Sequence, residues 1–150
     1  MIILLDAGPL SLITNPKGGT RAEACNLWME GLLGQGIQVF VPEIADYEVR
    51  RELLRANKTK GLQRLDALKE LVGFAPIKTA VVRRAAEYWA MARNMGKPTA
   101  HDKALDCDMF LVAQAVELGS SGESVVVATT NVRHLSLFTQ ASRWEEIRAH

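Results

Sequence analysis

Four side chains of this chain are suited to shared polar chemistry: Asp6, Glu48, Asp108 and Asn131. Each stands close to where a hydrophobic segment meets a turn or a helix. Carboxylates converging on one place repel one another and hold on to their protons unless a cation sits among them. Oxygen-only donors of this kind suit Mg2+ or Mn2+ rather than zinc or copper. Such an ion activates water and neutralises charge on a phosphate, which is the chemistry of phosphodiester hydrolysis. Each residue also has a plainer use. Asp6 can cap a turn, and Asp106 and Asp108 suit the first turn of a helix. Glu48 can pair with Arg51 or Arg55 along a helix surface, and Asn131 fits a strand-to-helix turn. For Asp106 the plainer use is preferred. The argument for a site rests on the joint placement of the other four.

The elements that must position them are legible as hydrophobic patterns. Residues 2–5 form an unbroken apolar run that ends at Asp6 and a turn signal, Ala7-Gly8-Pro9. This predicts a strand buried on both faces. Residues 38–41 (QVFV), closed by Pro42, predict a second strand. Residues 124–128 (SVVVA), running into Thr129, Thr130 and Asn131, predict a third, and 74–77 a short fourth. Helical spacing runs through 21–33, 43–56 and 59–72, the last with Leu62, Leu65, Leu68 and Leu71 as one stripe and Thr59 as cap. It continues through 79–95, ended by Gly96 with Pro98 beyond, and 106–118, which is apolar on most sides and so predicts a buried helix. Strands alternating with helices imply a parallel sheet covered on both faces. In such sheets the ligand site lies beyond the carboxyl ends of the strands, where Asp6, Glu48, Asp108 and Asn131 would gather.

With 150 residues, 48% of them apolar and 23% charged, the chain has the size and composition of one globular domain. Eighteen Lys and Arg against 17 Asp and Glu leave a net charge of +1, which excludes a bulk polycation, an acidic tail and low-complexity disorder. The charge is unevenly placed. Residues 50–64 (RRELLRANKTKGLQR) hold six basic residues and one acidic, or +5, leaving 12 basic and 16 acidic elsewhere, or −4. Arg50, Arg51, Arg55, Lys58 and Lys60 are therefore candidates to hold a phosphate backbone beside the acidic pocket, against the plainer reading of a solvated helical face. Few aromatics accompany them, so base stacking is not indicated. Cys25 and Cys107 belong to no CxxC pair and read as buried free thiols of a reducing compartment. The apolar start, with no basic residues before it and Asp6 ending it, reads as neither signal peptide nor membrane span, so the protein is expected in the cytoplasm. His101 and His134 lack obvious partners, and His150 is terminal. Trp28, Trp89 and Trp144 read as packing residues. The leucine stripe, with Trp89 and Met91, suits either the core or a surface for a partner helix or second copy. No GxGxxG follows the first strand, no P-loop is present, and Gly8 stands where phosphoaspartyl transfer would usually place a second Asp.

Four segments in order resemble the PIN-domain family of nucleases, which includes the VapC-type toxins of toxin–antitoxin pairs. They are IILLDAGPL with Asp6, VPEIADYEVRREL with Glu48, LDCDMFLVAQA with Asp108, and VVVATTNVRHL with Asn131. Together they span nearly the whole chain. The resemblance implies a three-layer α/β/α PIN-like domain over residues 1–150 with a central parallel sheet. It implies a Mg2+ or Mn2+ site and endonucleolytic cleavage of RNA. Asp6, Glu48 and Asp108 would be its acidic core, with Asp106 or Asp102 as a supplement. An antitoxin protein and a homodimer are the implied partners. Two positions depart from the pattern. Asn131 stands where many relatives have a fourth Asp, lowering the site's charge by one and weighing against a second metal. Ala7 replaces a hydroxyl residue, removing a polar support. These departures leave an alternative: a catalytically weak PIN-like module that binds nucleic acid or a protein partner.

Overall fold

The structure, a computed structural model, describes residues 1–95 and 102–148, with only the backbone described at Asp102 and Lys103. His101, His150, Gly96, Pro98 and the side chain of Asp102 lie outside the described residues.

Ile2–Leu5 form β1, and all four side chains are buried. Its alternating residues feed two cores. Ile3 and Leu5 face one with Leu10, Met29, Leu32 and Leu65. Leu4 faces the other with Leu105, Met109 and Val112. Burying an aliphatic side chain of this size contributes about 1.5–3 kcal/mol, so β1 anchors both. Gln38–Pro42 form β2, Gly73–Ala75 β3, Val125–Thr129 β4 and Ala141–Arg143 β5. All pairings are parallel, in the order β3-β2-β1-β4-β5. The helices are α1 (Ala7–Thr14), α2 (Thr20–Gly34), α3 (Glu43–Arg55), α4 (Thr59–Leu71), α5 (Thr79–Asn94) and α6 (Asp102–Leu118). Residues of α1, α2 and α4 pack in the first core and residues of α5 and α6 in the second, while α3 contributes to both. The result is the three-layer α/β/α architecture expected from the sequence. Among the described residues no helix is long and apolar enough to cross a membrane.

Four expectations need correction. The Ala7-Gly8-Pro9 segment is not a turn but the first turn of α1, where proline is tolerated because the N–H it lacks would have no intrahelical partner. Helix α6 begins at Asp102, four residues before the predicted start, so Asp106 and Asp108 lie inside it and neither caps it. Thr59 is the first residue of α4; the cap position is Lys58, without a side-chain cap bond. In the leucine stripe Leu65 and Leu68 are buried, but Leu71 is 76% exposed. A step of three residues falls short of a turn by about 60°, so the stripe drifts off the core.

The C-terminal segment closes over α2. Trp144 lies 5.6 Å from Trp28 between ring centres, and the Trp28 indole N–H donates to the Ile147 carbonyl at 3.0 Å.

Candidate functional site

Register fixes the first residue of the site. Leu5 is aligned with Ala128, and the Asp6 N–H donates to the Ala128 carbonyl at 2.9 Å, so Asp6 lies beside Thr129 at the strand ends. Asp6 is 6% exposed. Its Oδ1 accepts from the Ala7 N–H at 2.7 Å, capping α1, and its Oδ2 accepts from the Thr129 hydroxyl at 2.7 Å. The capping role of Asp6 is thus realised, by a side chain that stands at the strand ends. Thr129 Oγ1 in turn accepts from the Asn131 N–H at 3.1 Å.

Asp108 enters from α6 and is 2% exposed. Its Oδ1 accepts from the Arg133 guanidinium at 2.9 Å, while its buried Oδ2 has no hydrogen-bond partner. Burial, with the charge of Asp6, pushes the Asp108 carboxyl up to about 6 although Arg133 pulls it down. Glu48, half-buried on α3, is pushed up to about 7 by burial first and then by the charges of Asp6 and Asp108; Arg51 and Arg133 oppose this. Carboxylates from the end of β1, from α3 and from α6 therefore act on one another across one region at the sheet's carboxyl edge.

They do not form a closed cage. Among the described residues no group of three or more His, Cys, Asp or Glu side chains is packed to hold a metal ion as it stands. Mutual repulsion disfavours such packing, and Arg133 engages Asp108. The donor set nevertheless fits Mg2+ or Mn2+. It is all oxygen, the charge of Asp6 raises the proton affinity of both Glu48 and Asp108, and Asp108 Oδ2 is a buried acceptor lacking a donor.

Two predicted members stand apart from the trio. The exposed Asn131 turns its Oδ1 to the Arg133 N–H at 3.3 Å, shaping the loop. Asp106 is exposed on a different face of α6 and lines a groove with Val82, Trp89 and Phe110. Residues two apart on a helix do not share a face.

The basic residues also divide. Arg51, Arg55 and Lys58 line a groove of about 500 Å3 that includes Ala7, Gly8, Ser11 and Glu48. Their spacing from Glu48, at three, seven and ten residues, keeps them along one side of α3 and its end. Lys60 joins Lys58 and Lys17 at a neighbouring hollow of about 400 Å3. Within the groove Arg51 stacks on Tyr47 at 5.1 Å, and Arg55 pairs with Glu52 at 2.9 Å. Arg50 is placed elsewhere: it holds both Asp46 oxygens at 3.0 Å and Asp66 at 2.6 Å, bracing α3 against α4.

Sequence reasoning missed three residues here: Thr129, Arg133 and Thr130. Thr129 had a signal, as a hydroxyl ending the strand next to the one that carries Asp6. Thr130 explains Gly8, because a Cβ there would lie 2.5 Å from the Thr130 side chain. Arg133 had none, since it reaches Asp108 from a left-handed backbone position, φ 41°.

No family model and no curated protein sequence matches the chain. Solved structures share its fold. A chain in the crystal structure of VapBC2 from Rickettsia felis, bound to a promoter DNA fragment, aligns with TM-score 0.71 at 14% identity, over 96% of this chain and 99% of that one. In VapBC-1 from nontypeable Haemophilus influenzae the values are 0.63 and 15%, over 97% and 100%. In DNA-bound VapBC from Salmonella typhimurium they are 0.59 and 16%, over 96% and 98%. At these identities the likeness establishes the fold alone: a five-stranded parallel sheet between helical layers, shared with chains of VapBC structures.

Proposed function

We propose that this protein is a Mg2+- or Mn2+-dependent endoribonuclease, a single PIN-like domain over residues 1–150 that serves as the toxin of a toxin–antitoxin pair. The observation that carries the reading is the coupling of Asp6, Glu48 and Asp108 at the sheet edge, with Asp108 Oδ2 a buried acceptor lacking a donor. Asp6 and Asp108 would hold the cation. When bound, it supplies positive charge for the phosphate and lowers the pKa of water. Glu48, on α3 beside them, would bind the same cation or orient the attacking water and accept its proton. Thr129 fixes the Asp6 carboxylate, and Arg51, Arg55 and Lys58 hold the phosphates of the strand. Arg50 contributes to the fold instead, and Lys60 extends the basic track. The fold shared with chains of VapBC structures supports an antitoxin partner; a homodimer follows from the resemblance alone. The cytoplasm is where such a substrate lies.

The test is cleavage of a single-stranded RNA in Mn2+ by the intact protein and by Asp6→Asn. Cleavage lost in a folded variant supports the reading; full activity in the variant overturns it.

A second reading is a PIN-like module that binds RNA or a protein without cutting. It is favoured by the turning of Asn131 toward Arg133 and by the open arrangement of the three acids. Tight RNA binding without detectable Mn2+ binding would select it.

A further inference from the structure

Arg133 has no part in the site as the sequence predicts it, yet it is the cation that Asp108 meets. Its guanidinium lies 2.9 Å from Asp108 Oδ1, and its charge also acts on Glu48. The Asp108 side chain is 3% exposed and that of Arg133 37%, so the guanidinium meets solvent on one side and a buried carboxylate on the other. The backbone is shaped for this. Arg133 occupies the left-handed region, at φ 41°, which few non-glycine residues adopt. The Asn131 side chain accepts its N–H, and Thr129 ties Asn131 back to Asp6. One loop therefore fastens to one acid and delivers an arginine to another.

Resting on the metal-dependent reading above, we infer that Arg133 is a built-in counter-ion of the acidic site, and that a divalent cation binds by displacing its guanidinium from Asp108. The two cannot share the carboxylate without cost, since like charges a few ångströms apart repel even at an effective dielectric constant near 20. Asp108 Oδ2, without a partner of its own, is the oxygen on which the exchange begins. Arg133 is thus a positioning residue that sets the cation affinity of the site. The same exchange explains why three coupled carboxylates sit together without a closed cage: the arginine neutralises part of their charge and holds Asp108 apart from the others.

The experiment is Mn2+ titration by calorimetry on the intact protein, Arg133→Gln, Arg133→Lys and Asp108→Asn. Removing the competing charge is expected to tighten Mn2+ binding roughly tenfold in Arg133→Gln, a change equivalent to about 1.4 kcal/mol. Arg133→Lys, which keeps the charge, stays within about threefold of the intact protein, and Asp108→Asn loses binding. If the Gln variant fails to fold, Arg133→Gly replaces it, because glycine accepts the left-handed backbone. The Arg133 Nε–Hε resonance supplies a second readout and moves saturably on titration with Mg2+. Unchanged or weaker Mn2+ binding in Arg133→Gln, with Asp108→Asn still abolishing it, overturns the counter-ion role and leaves the metal site standing. A static Arg133 resonance during saturable Mg2+ binding does the same. No binding in either the intact protein or Arg133→Gln overturns the metal site and the counter-ion together. Binding that first becomes measurable in Arg133→Gln supports both.

Discussion

Asp108→Asn has an unusual expected effect: it makes the metal-free protein more stable at alkaline pH. The Asp108 carboxyl rises from 3.8 to about 6 on folding, chiefly through burial. That rise corresponds to about 3 kcal/mol of preference for the protonated form in the folded state. Because the folded pKa is the higher one, the associated stability is complete below the unfolded value and is lost as pH rises through about 6. Asparagine keeps the shape and does not titrate. By linkage, the stability of Asp108→Asn relative to the intact protein should rise by about 2 kcal/mol between pH 4.5 and pH 8. The value of about 6 already contains the pull of Arg133, which opposes burial. Urea unfolding in EDTA at several pH values measures the difference directly, and about 2 kcal/mol corresponds to roughly 4–8 °C in Tm for a chain of this size. A pH-independent difference, or one that falls as pH rises, would refute the claim that burial raises the Asp108 pKa. With saturating Mn2+ at pH 8 the order should invert, the intact protein becoming the more stable.

Three further outcomes are expected. Gly8→Ala places a Cβ against Thr130 and should lower stability by about 1–3 kcal/mol, read by thermal unfolding, while weakening Mn2+ binding through the displaced β4 end. Arg51→Ala and Arg55→Ala should each weaken RNA binding and reduce its salt slope by about one; Arg50→Ala should leave the slope unchanged and cost about 1–2 kcal/mol of stability, because Asp46 loses a charged hydrogen-bond partner. Gln114→Leu removes the amide that donates to the Ala75 carbonyl at 2.6 Å and accepts from the Ile44 N–H at 3.1 Å. Leaving those two buried groups without partners should cost about 2–4 kcal/mol in urea unfolding and speed hydrogen exchange at Ile44.

What was legible in the sequence follows from what each element depends on. β1, β2 and β4 are apolar runs because both faces are covered, so their own residues announce them. β5 is three residues, Ala141–Arg143, without an apolar run; its place comes from the edge of β4. α1 was hidden because Gly8-Pro9 is ordinary turn chemistry, and only the cap from Asp6 and the tight approach to Thr130 reveal the helix. The start of α6 was missed because it opens on two charged residues, Asp102 and Lys103, and its first buried apolar residue, Leu105, is followed by Asp106. Asp6 was legible as the end of β1 and Glu48 from the start of α3 after Pro42, whereas Asp108 was read at a helix start and lies well inside α6. Asn131 was placed on the correct loop, but its side-chain partner depends on the left-handed turn at Arg133, which no spacing rule encodes.

The bond between Asp6 and Thr129 spans 123 positions of the chain, which puts the site in time as well as in space. During synthesis β1 and β2 can pair early, but the other edge of β1 waits for β4. At about 5–20 residues per second that interval is roughly 6–25 s, and closing so long a loop is an inherently slow contact. Until Thr129 arrives, Asp6 lacks the hydroxyl that orients it, and Arg133 has not yet been made. A nascent chain therefore carries its first carboxylate long before it owns a site, so any activity of this fold waits for the strand that arrives late at the second edge of β1.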